Sequence, residues 1–372
     1  MNDKRLLTGT ILTALLGALA CTEPTSPPAV SPLRADRTAA AASYAISDLG
    51  TLGGASADAR AINDAGQVVG ASETAAGDIH AFRWTAAGGM QDLGTLGGTF
   101  SRAYAINDLG HVVGVSELAT GEARPFFWTP SGGMQDLGTF GGGFGRALGI
   151  NNEDQVVGSS TLPDGSMHAF VWTAANGLMD LVSVVGDNSE INGINNRQQI
   201  VGGSNFSTAA NQYCAFTIPF LSGLRGGFRN LGELGSPETD PCGGAYALAT
   251  NESDVVVGFA ENDAFLPRAF RWTAASGMVD LGTLVGPDGF ATATCINARG
   301  QIVGRSTAVF VDPNGGGLTI HAVLWDSNGI HDLGTLPGDL ASRAFGINAR
   351  GQIVGFSQSL DFVNRAVLWS PR

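Results

Sequence analysis

The sequence predicts an all-β protein, a seven-bladed β-propeller built from four-stranded antiparallel blades. Three observations support this fold class: one phrase recurs seven times, glycine is abundant, and the two chain ends complement each other. The 372 residues include 54 glycines, and only 14% are charged. This composition suits short strands joined by tight turns.

The recurring phrase begins with Asp-Leu-Gly and returns at intervals of 44 to 52 residues. Its second copy continues with Ala105-Ile-Asn, then Gly110-His-Val-Val-Gly, then Phe126-Phe-Trp. Repeats of this length are typical of propeller blades with about four strands each. The phrase opens at Asp48, Asp92, Asp136, Asp180, Asn230, Asp280 and Asp332.

Each unit is predicted to form four strands whose side chains grow in size from the axis outward. In the second unit these strands are residues 103–107, 111–116, 125–128 and 134–139. Small residues suit the crowded inner strand, and β-branched and aromatic residues suit the strands further out. Aromatic residues are expected to fill the widening gap between blades at Trp84, Trp128, Trp172, Phe216, Trp272, Trp325 and Trp369.

The chain ends predict that the ring closes. The last unit stops at Trp369 without a fourth strand, whereas residues 44–50 resemble a fourth strand that has no third strand before it. If strand 44–50 joins the C-terminal blade, no strand edge stays exposed. The alternative is a β-solenoid, which needs a cap at each end. We therefore predict one propeller domain over residues 44–372.

The N-terminal residues are expected to export and tether this domain. Residues 1–20 resemble a signal peptide, with basic residues followed by a mostly apolar run. Cys21 follows as in the lipobox of bacterial lipoproteins, although Ala18 stands where that pattern prefers leucine. Residues 21–43 are rich in proline and alanine, which suits an extended, lipid-anchored tether. The expected location is the outer membrane or cell surface, with a soluble secreted protein as the alternative.

Charge and motif content exclude several classes of partner. The net charge is −13, and nucleic-acid binding requires clustered Lys and Arg, so no nucleic acid is expected. The membrane is expected to be contacted only through the N-terminal lipid. No catalytic motif or cofactor motif is predicted. No metal site is predicted either, because His80, His168 and His321 fall in different blades. A monomer is expected.

Length changes among the repeats favour one face as the binding surface. With strands running outward from the axis, the first-to-second turns lie on one face, together with the third-to-fourth turns. The first-to-second turn keeps its length in every copy, as from Asn63 to Gly70. The second-to-third and fourth-to-first connections on the other face lengthen in the later units, and we call this the loop-variable face. One longer turn, after Phe216, is assigned to the constant face. Drift in surface loops is the alternative explanation.

One side chain per blade is predicted where the inner strand enters the axial mouth. These seven residues are the candidate ligand-binding set, and neighbouring Arg102 and Arg146 suit a carboxylate or sulfate held bidentately. Solvated strand ends with weak pairing are the alternative. The set is Asp58, Arg102, Arg146, Glu190, Tyr246, Thr292 and Arg343.

Three cysteines fall in the predicted propeller. Cys214 and Cys242 are both expected on the loop-variable face, where they form either a disulfide or two separate thiols. Cys295 replaces the alanine of the Ala-Ile-Asn phrase. It is therefore predicted to be a small buried residue.

The phrases His80-Ala-Phe-Arg-Trp, Asp92-Leu-Gly-Thr-Leu and Ala61-Ile-Asn-Asp-Ala-Gly-Gln together resemble the HAF-repeat family of bacterial extracellular proteins. The resemblance covers residues 44–372, although His-Ala-Phe is intact only at His80 and His168. It implies an exported repeat protein and brings no established activity or catalytic residues.

Together these features predict a non-catalytic, tethered propeller that binds a protein or glycan on its loop-variable face. One alternative is a secreted carbohydrate-active hydrolase or lyase that uses carboxylates at the axial mouth, such as Asp58 or Glu190. Another is a periplasmic scaffold for envelope assembly.

Overall fold

The computed structural model describes residues 44–186, 188–204, 218–235, 244–312 and 315–372. Within these ranges the strands form seven four-stranded antiparallel units, and the predicted β-propeller is confirmed. Blades 1 and 2 are also joined by a single parallel bridge.

Blades 1 to 3 have similar strands because their repeats have equal length. Each uses four consecutive strands, paired in chain order from the axis outward. The first strand of the chain, β1 (Tyr44–Asp48), belongs to the last blade. Blade 1 is β2 (Gly53–Ile62), β3 (Val68–Thr74), β4 (Ile79–Thr85) and β5 (Gly89–Asp92), and blade 2 is β6 (Gly97–Ile106), β7 (Val112–Leu118), β8 (Ala123–Thr129) and β9 (Gly133–Asp136). Blade 3 is β10 (Gly145–Ile150), β11 (Val156–Thr161), β12 (Met167–Thr173) and β13 (Gly177–Asp180).

Blades 4 to 7 contain the longer connections. A short helix, α1 (Val182–Val185), precedes blade 4, and the insertion in blade 6 lengthens both strands of one hairpin. Blade 4 is β14 (Ser189–Ile194), β15 (Gln199–Ser204), β16 (Ile218–Gly223) and β17 (Gly226–Asn230); blade 5 is β18 (Ala245–Thr250), β19 (Val256–Glu261), β20 (Pro267–Thr273) and β21 (Gly277–Asp280); blade 6 is β22 (Ala291–Ile296), β23 (Ile302–Asp312), β24 (Gly315–Asp326) and β25 (Gly329–Asp332); blade 7 is β26 (Asp339–Ile347), β27 (Ile353–Ser359) and β28 (Asn364–Pro371), completed by β1.

The two ends of the chain close the ring in the predicted way. Strand β1 pairs antiparallel with β28, and Ile46 stands opposite Trp369. The Trp369 side chain is fully buried, and its indole N–H donates to the carbonyl oxygen of Leu333 at 3.0 Å. The first strand therefore supplies the outer strand of the last blade.

The asparagine of each Ala-Ile-Asn or equivalent phrase links its blade to the next one. Its side-chain amide donates to the main-chain oxygen of the equivalent asparagine in the following blade, at 3.0 to 3.3 Å. Its carbonyl oxygen accepts main-chain N–H groups of its own turn, as Asn63 Oδ1 does from Gln67 at 2.9 Å. The ring runs through Asn63, Asn107, Asn151, Asn195, Asn251, Asn297 and Asn348 and returns to Asn63.

A glycine in each second strand allows the inner strand to approach closely. A Cβ atom added at Gly70 would lie 1.9 Å from the carbonyl oxygen of Asp58, which is far inside contact distance. The inner strand is irregular at this point, with a register shift between Ala59 and Ala61. Equivalent close approaches occur at Gly114, Gly158, Gly202, Gly258, Gly304 and Gly355.

The structure corrects the sequence alignment of the fourth unit. Phe220 is a buried aromatic residue of this unit, and it stands opposite Gly202 as Phe82 stands opposite Gly70. Ser222 takes the tryptophan position. The third-to-fourth turn is short, and the lengthening lies instead between β15 and β16 on the loop-variable face. The assignment of Phe216 to that position was wrong because the fourth unit has a serine there in place of an aromatic residue.

Replacing Asn348 by alanine should destabilise the ring at its closing contact. The substitution leaves the main-chain oxygen of Asn63 and the N–H of Gln352 without their partners, and we expect a loss of about 2–4 kcal/mol in the free energy of unfolding. Chemical denaturation measures this change. Asn328→Ala, at an exposed turn, is the control and should stay within about 0.5 kcal/mol of wild type. Equal effects of the two substitutions would contradict the proposed role of the ring.

Candidate functional site

The seven predicted mouth residues all lie on the innermost strands. Each stands opposite a residue of the second strand, as Asp58 stands opposite Ala71 and Arg343 opposite Phe356. Every inner strand enters from the loop-variable face and ends at the asparagine turn on the other face. The seven positions therefore lie near the entrance to the axis on the loop-variable face.

A cavity of about 360 Å³ lies at this entrance. Gln358 and Asn364, which flank the second-to-third turn of blade 7, line it, so it opens on the loop-variable face. Its size falls within the range of small-ligand sites. We call it the axial pocket, and its wall combines Asp58, Arg102, Thr292 and Arg343 from the predicted set with Arg60, Thr294, Arg305, Phe345 and Phe356.

One side of the axial pocket is an ion cluster around Asp58. Arg60 donates from Nε and Nη2 to the two carboxylate oxygens, each at 3.0 Å, and Arg102 Nη1 lies 3.6 Å from the same carboxylate. Burial alone would raise the pKa of Asp58, but the two guanidinium groups outweigh it and hold the pKa below its ordinary value. Asp58 is therefore an ionised, ion-paired group at neutral pH.

The other side of the axial pocket holds two guanidinium groups with no carboxylate partner among the described residues. Burial, and next the charge of Arg343, lower the pKa of Arg305 to about 10. Burial and the charge of Arg60 also lower the pKa of Arg343. Both arginines stay protonated at neutral pH. Four guanidinium groups thus share the axial pocket with one carboxylate, which leaves three formal positive charges.

Two phenylalanine rings contact the guanidinium groups of Arg60 and Arg343. Arg60 Cζ lies 4.3 Å from the ring centroid of Phe345, and Arg343 Cζ lies 5.6 Å from that of Phe356. The two rings also contact each other, with centroids 5.7 Å apart. Attraction between a guanidinium and a ring face offsets part of the cost of gathering positive charge in a buried place.

The remaining predicted residues do not reach the axial pocket. Arg146 forms an ion pair with Glu190 of the next blade, and Tyr246 stacks on Phe259 with ring centroids 5.3 Å apart. The expected anion clamp between Arg102 and Arg146 does not form, because each of these arginines turns to a carboxylate of a different blade.

Two of the four pocket arginines, Arg60 and Arg305, were not predicted from the sequence. Arg60 follows Asp58 by two residues at the point where the inner strand shifts register, and its guanidinium reaches back to the Asp58 carboxylate. Arg305 belongs to the second strand and stands opposite Thr292. The small threonine leaves room for the longer side chain. The short spacing between Asp58 and Arg60 was the available signal for Arg60, whereas Arg305 required the cross-strand register.

The histidines of the His-Ala-Phe phrase have a structural role. His80 Nδ1 lies 2.8 Å from a carboxylate oxygen of Asp92, the first residue of the next Asp-Leu-Gly phrase. Asp92 in turn accepts the main-chain N–H of Gly94 at 2.7 Å. The same contact recurs in blades 3 and 6, and Arg268 replaces histidine in blade 5. The phrase therefore fastens the third strand to the end of the fourth.

Other predicted features have different outcomes. Among the described residues, no group of histidine, cysteine and acidic side chains is placed to hold a metal ion, and no helix is long and apolar enough to span a bilayer. Cys21, Cys214 and Cys242 lie outside the described residues, so lipidation and their pairing stay predictions. Cys295 is fully buried, as predicted, but it is also disulfide-bonded, which was not predicted.

Comparison with protein-family models and with curated proteins finds no match. Solved structures share the fold. The propeller domain of the Trilobed protease from Pyrococcus furiosus has a TM-score of 0.54 at 9% identity, covering 84% of this chain and 95% of that domain. It is described as having an open velcro topology, whereas β1 closes the present ring.

The acylaminoacyl peptidase of Pyrococcus horikoshii also has a TM-score of 0.54, at 12% identity. The comparison covers 87% of this chain but 53% of the peptidase, so the chain spans about half the length of that protein. At these identities the likeness shows a β-propeller fold and nothing about activity.

The Asp58 ion cluster predicts a defined pH dependence of stability. A carboxylate whose pKa is lowered on folding stabilises the protein above its ordinary value of 3.8, and this contribution is lost as pH falls through the folded pKa. We expect Asp58→Asn to cost about 3–5 kcal/mol at pH 7, because it leaves Arg60 buried without its partner. The difference from wild type should shrink below pH 3.8.

Denaturant titrations at several pH values measure this effect. Asp361→Asn, at an exposed turn, is the control and should change stability by less than about 0.5 kcal/mol at pH 7. A difference between Asp58→Asn and wild type that is the same at every pH would rule out the assigned pairing.

Proposed function

We propose that the protein is a non-catalytic binding propeller whose axial pocket holds an anionic group of a protein or glycan partner. The observation that carries this proposal is the pair Arg305 and Arg343, two half-buried cations that form no ion pair with a carboxylate among the described residues. A carboxylate or sulfate placed between them would supply the missing partner. The loop-variable face would then be the binding surface.

The contrast between the axial pocket and the rest of the protein supports selective anion binding. The whole chain carries a net charge of −13, so an extended anionic surface is repelled. Inside the pocket, low-dielectric walls concentrate the field of the unpaired arginines. A small anionic group that fits the cavity is therefore favoured over a large polyanion.

The axial pocket offers little support for the hydrolase alternative. A general acid needs a raised pKa and a free carboxyl group, whereas Asp58 has a lowered pKa and two arginine partners. Glu190 is paired with Arg146 outside the axial pocket. The residues present are suited to holding an anion, and binding is the function we retain.

Export and tethering complete the proposal. The signal-like residues 1–20, the cysteine at position 21 and the resemblance to HAF-repeat proteins support an extracytoplasmic lipoprotein. A Pro- and Ala-rich tether would hold the propeller away from the membrane. The axial pocket would suit an envelope-assembly scaffold as well as a surface binding protein, and it gives no reason to prefer the scaffold.

Arg305→Met tests both the binding of anions and the loss of stability that the desolvated charge of Arg305 causes. Removing this desolvated cation should weaken the binding of sulfate and acetate at least about tenfold and raise the free energy of unfolding by about 1–2 kcal/mol. Calorimetry with each anion and denaturant titration measure the two quantities.

Arg299→Met is the matched control for Arg305→Met, since it removes the same charge from an exposed turn on the opposite face. It should change neither anion affinity nor stability appreciably. The proposal fails if the wild-type protein binds neither anion. It also fails if the purified protein degrades polysaccharides in a reaction that Asp58→Asn abolishes.

Cys21→Ser tests the tether. If Cys21 is acylated, the wild-type protein should fractionate with membranes and the variant should be released, because one lost anchor removes the lipid contact. Fractionation of cells expressing each form, with Ser26→Ala in the same segment as the control, decides the point. A variant that still sediments with membranes would disprove lipidation at this residue.

A further inference from the structure

Five second-to-third turns on the loop-variable face share one backbone geometry. In blade 1 the N–H of Thr74 donates to the carbonyl oxygen of Asp78, and the N–H of Gly77 donates back to Thr74. In blade 7 Ser359 and Phe362 take the places of Thr74 and Gly77 in the same two hydrogen bonds. Blades 2, 3 and 5 repeat this pattern. These turns can therefore be compared position by position.

The fourth residue of this turn has a left-handed backbone, which favours glycine. Blades 1, 2 and 3 place Gly77, Gly121 and Gly165 there, with φ between 86° and 92°. Blades 5 and 7 instead place Phe265 and Phe362, with φ of 59° and 62°. A bulky residue with positive φ is strained. Blades 5 and 7 thus carry a strain that three other blades avoid.

Burial inside the protein does not explain these two phenylalanines. Phe265 is 59% exposed and Phe362 is 81% exposed. At Gly77, Gly121 and Gly165 a Cβ atom would meet no atom within 4 Å, so these turns have no internal contact for a side chain to fill. Because strained residues persist where function requires them, both rings are candidates for contact with a partner.

More exposed apolar residues lie on the same side of the face. The long hairpin of blade 6, between the two phenylalanine turns, has Val309 directly opposite Leu318, and both are exposed. Leu360 is exposed in the same turn as Phe362. We call these five residues the apolar crest. It occupies the second-to-third hairpins of blades 5, 6 and 7.

The apolar crest rises from strands that line the axial pocket. Gln358 and Asn364 flank the turn that carries Leu360 and Phe362, and both line the pocket. Arg305 lies on β23, the strand that continues to Val309. The hairpins of blades 6 and 7 therefore contribute both to the wall of the axial pocket and to the apolar crest.

The chemistry of the apolar crest selects the kind of partner. Its five side chains offer no hydrogen bond to the hydroxyl groups of a glycan, and three of the five are aliphatic and provide no aromatic ring for a sugar to stack on. Acidic residues beside the crest, including Glu261 and Asp361, oppose an anionic lipid surface. Exposed phenylalanines beside arginine are instead typical of protein interfaces, and a contiguous exposed apolar patch marks an interaction site.

We propose that the loop-variable face binds the C-terminal segment of another polypeptide. The terminal carboxylate would enter the axial pocket between Arg305 and Arg343, and the preceding apolar side chains would cover the apolar crest. A chain end suits a recessed cavity because only one strand of backbone has to enter it. This inference deepens the proposed function and depends on it for the anion in the axial pocket.

Binding of synthetic peptides to the full-length protein tests this inference. Short peptides with randomised apolar residues and a free C-terminal carboxylate are fluorescently labelled, and each is compared with its C-terminal amide. We expect free-carboxylate peptides to bind, and their amides to bind at least about tenfold more weakly, because an amide cannot pair with the two arginines. Fluorescence anisotropy measures both affinities.

A double variant separates the apolar crest from the axial pocket. Phe265→Gly with Phe362→Gly should weaken peptide binding about tenfold and leave sulfate binding unchanged. It should not lower the midpoint of thermal unfolding, because glycine accepts the left-handed backbone. Gly121→Phe in blade 2 is the matched control. It should lower that midpoint and leave peptide affinity unchanged.

The outcomes distinguish this inference from the proposed function. Equal binding of acids and amides, or unchanged peptide affinity in the double variant, would overturn the peptide proposal. Binding of acidic oligosaccharides or of anionic lipid vesicles in place of peptides would overturn it as well, while retained sulfate binding would leave the proposed function standing. A wild-type protein that binds neither sulfate nor peptide would overturn both.

Discussion

The ring of seven asparagine side chains is the constraint on which the rest of the structure depends. Each amide donates to the next blade while its carbonyl oxygen holds its own turn, so one residue fixes both the hairpin and the rotation between blades. A buried amide or carbonyl that lost its partner would carry the full cost of desolvation. The contacts are therefore satisfied together only when Asn348 reaches Asn63, which explains why the first-to-second turn keeps its length in every repeat.

Regularity on one face leaves the other face free to vary. The close approach of inner and second strands at Gly70 and its equivalents brings one side chain per blade to the axial entrance. Because equivalent positions carry different residues, a symmetric framework encloses an asymmetric wall. The small Thr292 admits Arg305 from the second strand, whereas Phe356 stands behind Arg343. The axial pocket thus arises from differences among repeats, and its position from what they share.

Two unfavourable features lie on the same side of the loop-variable face. Arg305 and Arg343 are desolvated and close to each other, and Phe265 and Phe362 hold strained backbones while exposed to solvent. A closed ring with a continuous core can bear such local costs, and functional sites are where local rules of stability are most often broken. Because both features lie on blades 5 to 7, together they support a common binding function better than either feature alone. Both costs would be relieved by a ligand that is anionic at one end and apolar beside it.

The sequence by itself determined the strand order, the repeat count, the closing strand at Tyr44 and the seven axial positions, because these depend on local periodicity and on complementary chain ends. Tertiary structure decided which side chains meet. Arg146 pairs with Glu190 and not with an anion shared with Arg102, and Ser222 takes the position predicted for Phe216. Partner choice depends on the rotation between blades and on cross-strand register. A periodic pattern contains neither quantity, since it records spacing along the chain and not the distance between neighbouring blades.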